Sequence, residues 1–188
     1  MKNLKFSILA VLTIFLAVSC SPPDEPQPFN EEEVITTVTL SFSRAGVIVA
    51  TLNARDMDGN GPNMPVFSST GSLSRSLTYT GATTFTNELK NPAQDITEEV
   101  REEDEDHQVF YRAPSALGTF TYADADSNQR PVGLSFIYTP GTATATQNLV
   151  VTLRHKLLKS AVGVVSGDIT NAGGSTDAEV TFPVTLVP

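Results

Sequence analysis

The chain has 188 residues, of which 40% are hydrophobic and 18% charged, with 12 Gly, 12 Pro and no Trp. This length favours a single domain, and the composition excludes a coiled coil, a collagen and a highly charged disordered chain. The formal net charge is −9, from 21 acidic and 12 basic residues. We therefore expect no nucleic-acid partner, because phosphate contacts require Lys and Arg.

The amino-terminal residues have the pattern of an export signal. Lys2 and Lys5 precede the short apolar run Phe6–Val18. This run is shorter than the roughly 20 residues that cross a bilayer as a helix. A basic start, a short apolar run and small residues after it predict a secretory signal peptide over residues 1–19.

Cys20 is the only cysteine of the chain and ends the segment LAVSC. A small residue directly before a lone cysteine at the end of an apolar run resembles the lipobox of bacterial lipoproteins. That resemblance implies cleavage before Cys20 and acylation of its sulfur, for example with palmitate. Several acyl chains would hold the protein stably on the outer membrane, facing the periplasm or the cell surface. The alternative is a secreted protein with a spare thiol.

Residues 20–32 are predicted to be the lipidated cysteine and a linker. Ser21–Pro28 reads SPPDEPQP, and four prolines in eight residues favour an extended, semi-rigid spacer. Acidic residues follow, up to Glu33. Acidic residues soon after a lipidated cysteine resemble the tag that directs some Bacteroidota lipoproteins to the cell surface.

Residues 33–188 are predicted to form an all-β domain. Val38, Leu40 and Phe42 alternate with polar residues, as in a strand with one buried face. Similar runs rich in Thr and bounded by Gly, Pro, Asn and Asp recur along the chain. Together they favour an antiparallel β-sandwich of about eight strands, Ig-like or related. The predicted strands are Val34–Phe42, Val47–Asn53, Leu77–Thr86, Gln108–Arg112, Gly118–Ala123, Leu134–Tyr138, Asn148–His155 and Ala178–Val187.

One short acidic helix is predicted within Pro92–Asp106. Asp95 and Glu98, three residues apart, have the spacing of a capping pair at its start. The acidic residues at its other end oppose the helix dipole. We therefore expect the helix to fray near Glu103.

Two segments of the chain are similar when it is aligned with itself at an offset of 68 residues. Phe42–Asn60 and Phe110–Asn128 share seven identical residues over 19 positions without a gap. Each segment reads as a strand, an Arg-Ala turn, a second strand and an Asp-x-Asp-x-Asn loop. This similarity predicts a duplicated hairpin, with chance similarity between Thr-rich strands as the alternative.

The two Asp-x-Asp-x-Asn loops are candidate calcium sites. Their oxygen-bearing residues are Asp56, Asp58 and Asn60 in the first loop and Asp124, Asp126 and Asn128 in the second. Alternate residues of a curved loop direct oxygens inward, and calcium prefers oxygen ligands. The position at which an EF-hand loop has its closing Glu is occupied by Phe67, so any calcium affinity should be weak. The alternative is an ordinary turn, in which Asp and Asn bind their own backbone.

The two histidines, His107 and His155, are candidate transition-metal ligands. His107 follows an acidic run that begins at Glu98, and His155 ends a predicted strand. Neutral imidazoles beside carboxylates bind zinc, copper or iron. The alternative is a pair of surface histidines beside a solvated acidic helix face. The distance between the two rings decides between these interpretations.

Enzyme signatures are missing from the sequence. It contains no Gly-x-Ser-x-Gly elbow, no phosphate-binding loop and no metalloprotease helix. We therefore expect a protein that is not an enzyme.

Several further segments resemble a small lipoprotein family of Bacteroidota whose members are mostly uncharacterised. They are NEEEVITTV at 30–38, DHQ at 106–108, GDITNAGG at 167–174 and VTFPV at 180–184. Some members carry a label that implies a type 1 periplasmic binding fold, a two-lobed α/β architecture. The strand pattern of this chain predicts a β-sandwich instead. The resemblance also implies a place beside a TonB-dependent receptor or another envelope protein.

The leading functional expectation is a lipid-anchored, non-catalytic binding or accessory module that serves nutrient or metal uptake. The alternative is a structural or adhesion component of the cell surface with weak calcium-binding loops. The expected partners are the membrane, through the lipid anchor, and an envelope protein.

Overall fold

The computed structural model describes residues 33–59 and 61–188. The predicted signal peptide, the lipobox residue Cys20 and the linker all lie outside the described residues, and so does Asn60. The predicted β domain and both histidines lie within them.

Twelve strands and one α-helix make up the described part of the chain. In chain order they are β1 (Thr37–Arg44), β2 (Val47–Arg55), β3 (Val66–Gly71), β4 (Leu73–Ser74), β5 (Tyr79–Asn87), β6 (Gln94–Asp95), α1 (Ile96–Glu102), β7 (His107–Arg112), β8 (Gly118–Tyr122), β9 (Ser135–Pro140), β10 (Gln147–His155), β11 (Ser175–Val184) and β12 (Leu186–Val187). Two short 3-10 helices, Val164–Ser166 and Ile169–Asn171, lie between β10 and β11.

The strands form two main antiparallel sheets. The larger sheet has the order β3-β2-β1-β5-β9-β8, with β6 paired to β5. The smaller sheet has the order β11-β10-β7, and the short strands β4 and β12 form a separate parallel pair. This arrangement confirms the predicted all-β, antiparallel sandwich.

The core lies between the two sheets. Apolar side chains of both sheets belong to one buried cluster, in which Phe42, Phe85 and Phe136 come from the larger sheet and Leu153 and Phe182 from the smaller. Within this cluster the rings of Phe42 and Phe136 pack edge to face, and their centroids are 5.5 Å apart. Each such side chain contributes about 1.5–3 kcal/mol to stability through its burial. The alternation along β1 predicted this buried face.

All eight predicted strand segments overlap strands of the structure. Strand β3 was not predicted; its six residues are all exposed, so it lacks the alternation that marks a strand with one buried face. Helix α1 is shorter than predicted, because Gln94–Asp95 pairs with β5 before the helix begins. The Asp95 side chain caps α1 by accepting a hydrogen bond from the Thr97 N–H at 2.9 Å. No helix among the described residues is both long enough and apolar enough to cross a membrane.

The duplicated hairpin predicted from the internal similarity is wrong. Strands β1 and β2 do form a hairpin, and its two turn residues, Ala45 and Gly46, have φ values of +48° and +78°. Strands β7 and β8 do not pair with each other, since they belong to different sheets. Gly46 aligns with Pro114, whose ring fixes φ near −65° and so prevents this turn. The second segment therefore crosses from one sheet to the other.

Candidate metal centre

The two histidines lie face to face inside the protein. Strands β7 and β10 pair in a register that places His107 directly opposite His155. Their rings stack with centroids 4.4 Å apart and planes 16° apart. Both residues are buried. The structure thus brings the two predicted ligands together, and neither is a surface residue.

Two carboxylates, Glu33 and Asp177, complete a cluster with the histidines. One ligand atom from each of the four residues lies within 4.8 Å of all the others. His107 Nε2 is 3.3 Å from Glu33 Oε1 and 3.7 Å from Asp177 Oδ2, and His155 Nδ1 is 3.9 Å from Glu33 Oε2. The carboxylate side chains are 7% and 0% exposed.

Irregular backbone positions both carboxylates, which explains why the sequence did not predict them. Along β11, Ala178 pairs with Leu153 and Thr176 pairs with Arg154, so Asp177 is the extra residue of a β-bulge. Bulges often redirect a side chain next to a functional site. Glu33 lies outside the strands, four residues before β1 begins. The run of acidic residues around Glu33 was the only signal in the sequence, and it resembled a linker.

The hydrogen bonding of His107 leaves its inward nitrogen available. Its Nδ1 lies 3.1 Å from the Glu103 carbonyl oxygen. A carbonyl oxygen can only accept, so Nδ1 carries a proton and donates it. The other nitrogen, Nε2, is buried and makes no hydrogen bond, although it faces carboxylate oxygens. If the ring were neutral, the lone pair of Nε2 would point at the negatively charged oxygens and be repelled by them. A cation at this nitrogen, either a proton or a metal ion, removes that repulsion.

The charges of the cluster also favour a cation. Burial would lower the pKa of His107, but contact with Glu33, the Glu103 carbonyl and the negative charges of Glu33 and Asp177 outweigh burial and raise it. Burial would raise the pKa of Glu33, but His107 outweighs this effect and lowers it. The pKa of His155 is lowered by burial and by the charge of His107. These shifts favour an anionic Glu33 beside a positively charged His107.

Glu103 contacts both histidines from outside the cluster. Its carbonyl accepts the hydrogen bond from His107, and its carboxylate Oε2 lies 3.9 Å from Nε2 of His155. Its side chain is half exposed. By contrast, Glu98 of the same acidic run forms an ion pair with Arg101 at the surface. Glu103 thus links the predicted acidic helix to the buried histidines.

The first predicted calcium loop has the contacts of a turn. Asp56 Oδ1 accepts hydrogen bonds from the N–H groups of Asp58 and Gly59. Asp58 Oδ2 accepts from the backbone N–H and from the side-chain amide of Asn63. The third predicted ligand, Asn60, lies outside the described residues.

In the second predicted calcium loop the carboxylates bind backbone and a buried lysine. Asp124 accepts hydrogen bonds from the N–H groups of Gly133 and Ser135, at 2.7 and 2.8 Å. Asp126 Oδ1 accepts from the Asn128 N–H, and its Oδ2 lies 3.1 Å from Nζ of Lys159. These contacts favour the turn interpretation in both loops, and calcium binding there stays a prediction.

Comparisons of the chain with protein-family models, with curated proteins and with solved structures find no match. The resemblance to Bacteroidota lipoproteins, including the place beside a TonB-dependent receptor, therefore stays a prediction from the sequence.

Proposed function

We propose that this protein is a non-catalytic, lipid-anchored module of the cell envelope that binds one divalent transition-metal ion. The ion would be held by Glu33, His107, His155 and Asp177. The observation that carries the proposal is the position of His107 Nε2, which is buried, makes no hydrogen bond and lies 3.3 and 3.7 Å from carboxylate oxygens. A metal ion between these atoms would satisfy the buried nitrogen of His107.

The spacing of the ligand atoms fits a tetrahedral ion. Ligand atoms bound to zinc at about 2.0–2.1 Å in a tetrahedron lie about 3.4 Å from one another. His107 Nε2 lies 3.3 Å from one Glu33 oxygen and 3.7 Å from Asp177, His155 Nδ1 lies 3.9 Å from the other Glu33 oxygen, and one ligand atom from each residue lies within 4.8 Å of all the others. Completing the shell would require the ligand atoms to move inward and at least one ring to rotate, because two stacked imidazoles only 16° from parallel do not both direct a lone pair at one ion.

The donor types favour a zinc-class ion. Two imidazoles and two carboxylates suit Zn²⁺, Fe²⁺ or Co²⁺, and the two carboxylates would neutralise the charge of a divalent ion. The set contains no thiolate or thioether, the ligands that select Cu(I). Four protein ligands fill a tetrahedral shell, whereas a catalytic zinc keeps one position open for water or substrate. This closed shell supports a role without catalysis.

Titration of the full chain with Zn²⁺, followed by calorimetry, tests the proposal. We expect one ion per chain, and Co²⁺ bound in its place should give the visible absorption of a tetrahedral centre. Glu98→Gln is the matched control, because Glu98 belongs to the same acidic run but pairs with Arg101. A Cys20→Ser variant should bind equally, which excludes the thiol as the ligand. A chain that takes up no ion, or loses the ion with Cys20→Ser, would contradict the proposal.

Glu103→Gln is expected to weaken metal binding by less than about tenfold, because its carboxylate lies 3.9 Å from His155 Nε2, beyond hydrogen-bond distance, whereas hydrogen-bonded partners of ligating histidines contribute 10- to 100-fold. With the metal on Nδ1 of His155, the Nε2–H faces the Glu103 carboxylate, now 3.9 Å away. The carbonyl that holds His107 is unchanged by this substitution.

Competition with a chelator of known affinity measures the effect of Glu103→Gln. Glu102→Gln, which removes a neighbouring exposed charge, is the matched control. Equal losses in the two variants would mean that general surface charge, rather than the contact with His155, is responsible.

A further inference from the structure

We propose that the bound ion is a resident cross-link between the two sheets of the sandwich, an inference that rests on the proposed metal site. In immunoglobulin domains a disulfide joins the two sheets. This chain has one cysteine, Cys20, so residues 33–188 cannot form a disulfide among themselves. The four-residue cluster occupies a place where a metal ion would serve the same purpose.

Three of the ligands belong to the smaller sheet. His107 is on β7, His155 faces it on β10, and Asp177 is in the bulge of β11 beside Arg154. The hydrogen bonds of this sheet hold these three residues near one another whether or not a metal is bound. An ion bound by them alone would stabilise the smaller sheet and nothing else.

The fourth ligand, Glu33, belongs to a segment that is fixed to the larger sheet. Three residues further along, the Thr36 N–H donates to the Thr86 carbonyl of β5 at 2.9 Å. The Thr36 carbonyl accepts from the N–H of Asp56, directly after β2, at 2.7 Å. Three residues span at most about 10 Å, so the Glu33 carboxylate is closely tied to the larger sheet. Coordination by Glu33 therefore joins the two sheets through the ion.

This cross-link also explains why Glu33 lies where it does. Its side chain is 7% exposed, and its Oε2 is buried without a hydrogen bond. A buried carboxylate oxygen without a partner is costly, and a metal ion would remove that cost. Because the side chains of the four ligands are at most 7% exposed, and Glu33 is the ligand outside the smaller sheet, we expect the ion to leave when Glu33 moves away from that sheet. Loss of the metal and opening of this end of the sandwich are then one motion.

Hydrogen exchange of the full chain, with and without Zn²⁺, tests the cross-link. At a free Zn²⁺ concentration 100 times the dissociation constant, an amide that exchanges only when the site opens should exchange about 100-fold more slowly. We expect this slowing at the amides of Thr36 and Asp56 on the larger sheet. The amide of Lys156, which donates to the Asp106 carbonyl beside the two histidines, reports on the smaller sheet.

The Glu33→Gln variant distinguishes protection of the smaller sheet from protection of the larger sheet. At Zn²⁺ concentrations 100 times its own dissociation constant, the amide of Lys156 should still be slowed, whereas those of Thr36 and Asp56 should not. Equal slowing of Thr36 in both proteins, or slowing of Lys156 without Thr36 in the wild-type chain, would overturn the cross-link but leave the metal site intact. A wild-type chain that binds no Zn²⁺ would overturn the proposed function itself. The comparison of Thr36 with Lys156 in the wild-type chain decides the matter even if the variant does not fold.

Discussion

Metal binding is expected to disappear when His107 is replaced by alanine. The loss of affinity should exceed the roughly 100-fold cost of removing a hydrogen-bond partner of a ligand, because this substitution removes a ligand itself. The Nε2 atom of His107 lies 3.3 Å from Glu33 and 3.7 Å from Asp177. Without it, the two carboxylates and His155 would offer an incomplete shell.

The consequence for stability can be measured in the same variant. Zn²⁺ at 100 times the dissociation constant should raise the free energy of unfolding of the wild-type chain by about 2.7 kcal/mol. The same concentration should raise the free energy of unfolding of His107→Ala by less than about 0.4 kcal/mol, given an affinity more than 100-fold lower. Urea denaturation with and without Zn²⁺ makes this comparison.

Gln108→Ala distinguishes loss of a ligand from general damage to β7. Gln108 is the next residue of the strand and is equally buried, but its amide donates to Tyr122 and to the Val164 carbonyl. This variant should be less stable than the wild-type chain and should still bind one ion. Loss of the ion in both variants would attribute the effect to the fold rather than to the imidazole.

The histidine pair shows which part of the candidate metal site could be predicted from the sequence. Both histidines could be chosen as candidate metal ligands from the sequence, because imidazoles bind transition metals and an acidic run precedes His107. Their contact could not be predicted, since it depends on the pairing of β7 with β10, which are separated in the chain by strands of the other sheet. Such non-local pairing leaves no periodicity in the sequence.

The two carboxylates show where sequence patterns fail. Asp177 reaches the cluster from a bulge, where the regular alternation of faces is interrupted. Glu33 comes from irregular backbone before β1. The strands themselves were predictable because buried Val38, Leu40 and Phe42 alternate with half-buried polar residues along β1, whereas β3 was missed because all of its residues are exposed. Regular structure was thus predictable, and the ligands on irregular backbone were not.

Pro114 is the residue in the sequence that argued against a second hairpin, despite the internal similarity. Identical residues at seven positions suggested two equal hairpins, yet the turn of the first depends on a positive φ at Gly46. Proline cannot adopt that conformation. Pro114 therefore excludes the tight hairpin turn of the first segment from the second.

A large loss of stability, about 3–5 kcal/mol, is expected for Asp126→Ala, because breaking a buried ion pair leaves one charge without its partner. Asp126 Oδ2 and Lys159 Nζ lie 3.1 Å apart, with side chains 0% and 1% exposed. The ammonium group also donates to the carbonyls of Asp104 and Pro131, so it would remain buried after the substitution.

Asp58→Ala is the matched control for Asp126→Ala. Asp58 occupies the corresponding position of the similar loop but is exposed, and substitutions of this kind usually change stability by about 0.5 kcal/mol or less. Urea denaturation of both variants measures the difference. Equal losses would mean that the loop, rather than the ion pair with Lys159, is responsible.

The effect of Asp126→Ala should depend on pH in a defined direction. Burial would raise the pKa of Asp126, but hydrogen bonds from the Arg130 and Asn128 N–H groups and the charge of Lys159 outweigh burial and lower it below 3.8. A carboxyl group with a lowered pKa stabilises the fold fully above its ordinary value and loses this contribution as the pH falls through the lowered one. The difference in unfolding free energy between the wild-type chain and Asp126→Ala should therefore be constant near neutral pH and shrink below pH 3.8. A difference that stayed constant into that acid range would show that Asp126 stabilises the loop by shape alone, without its charge.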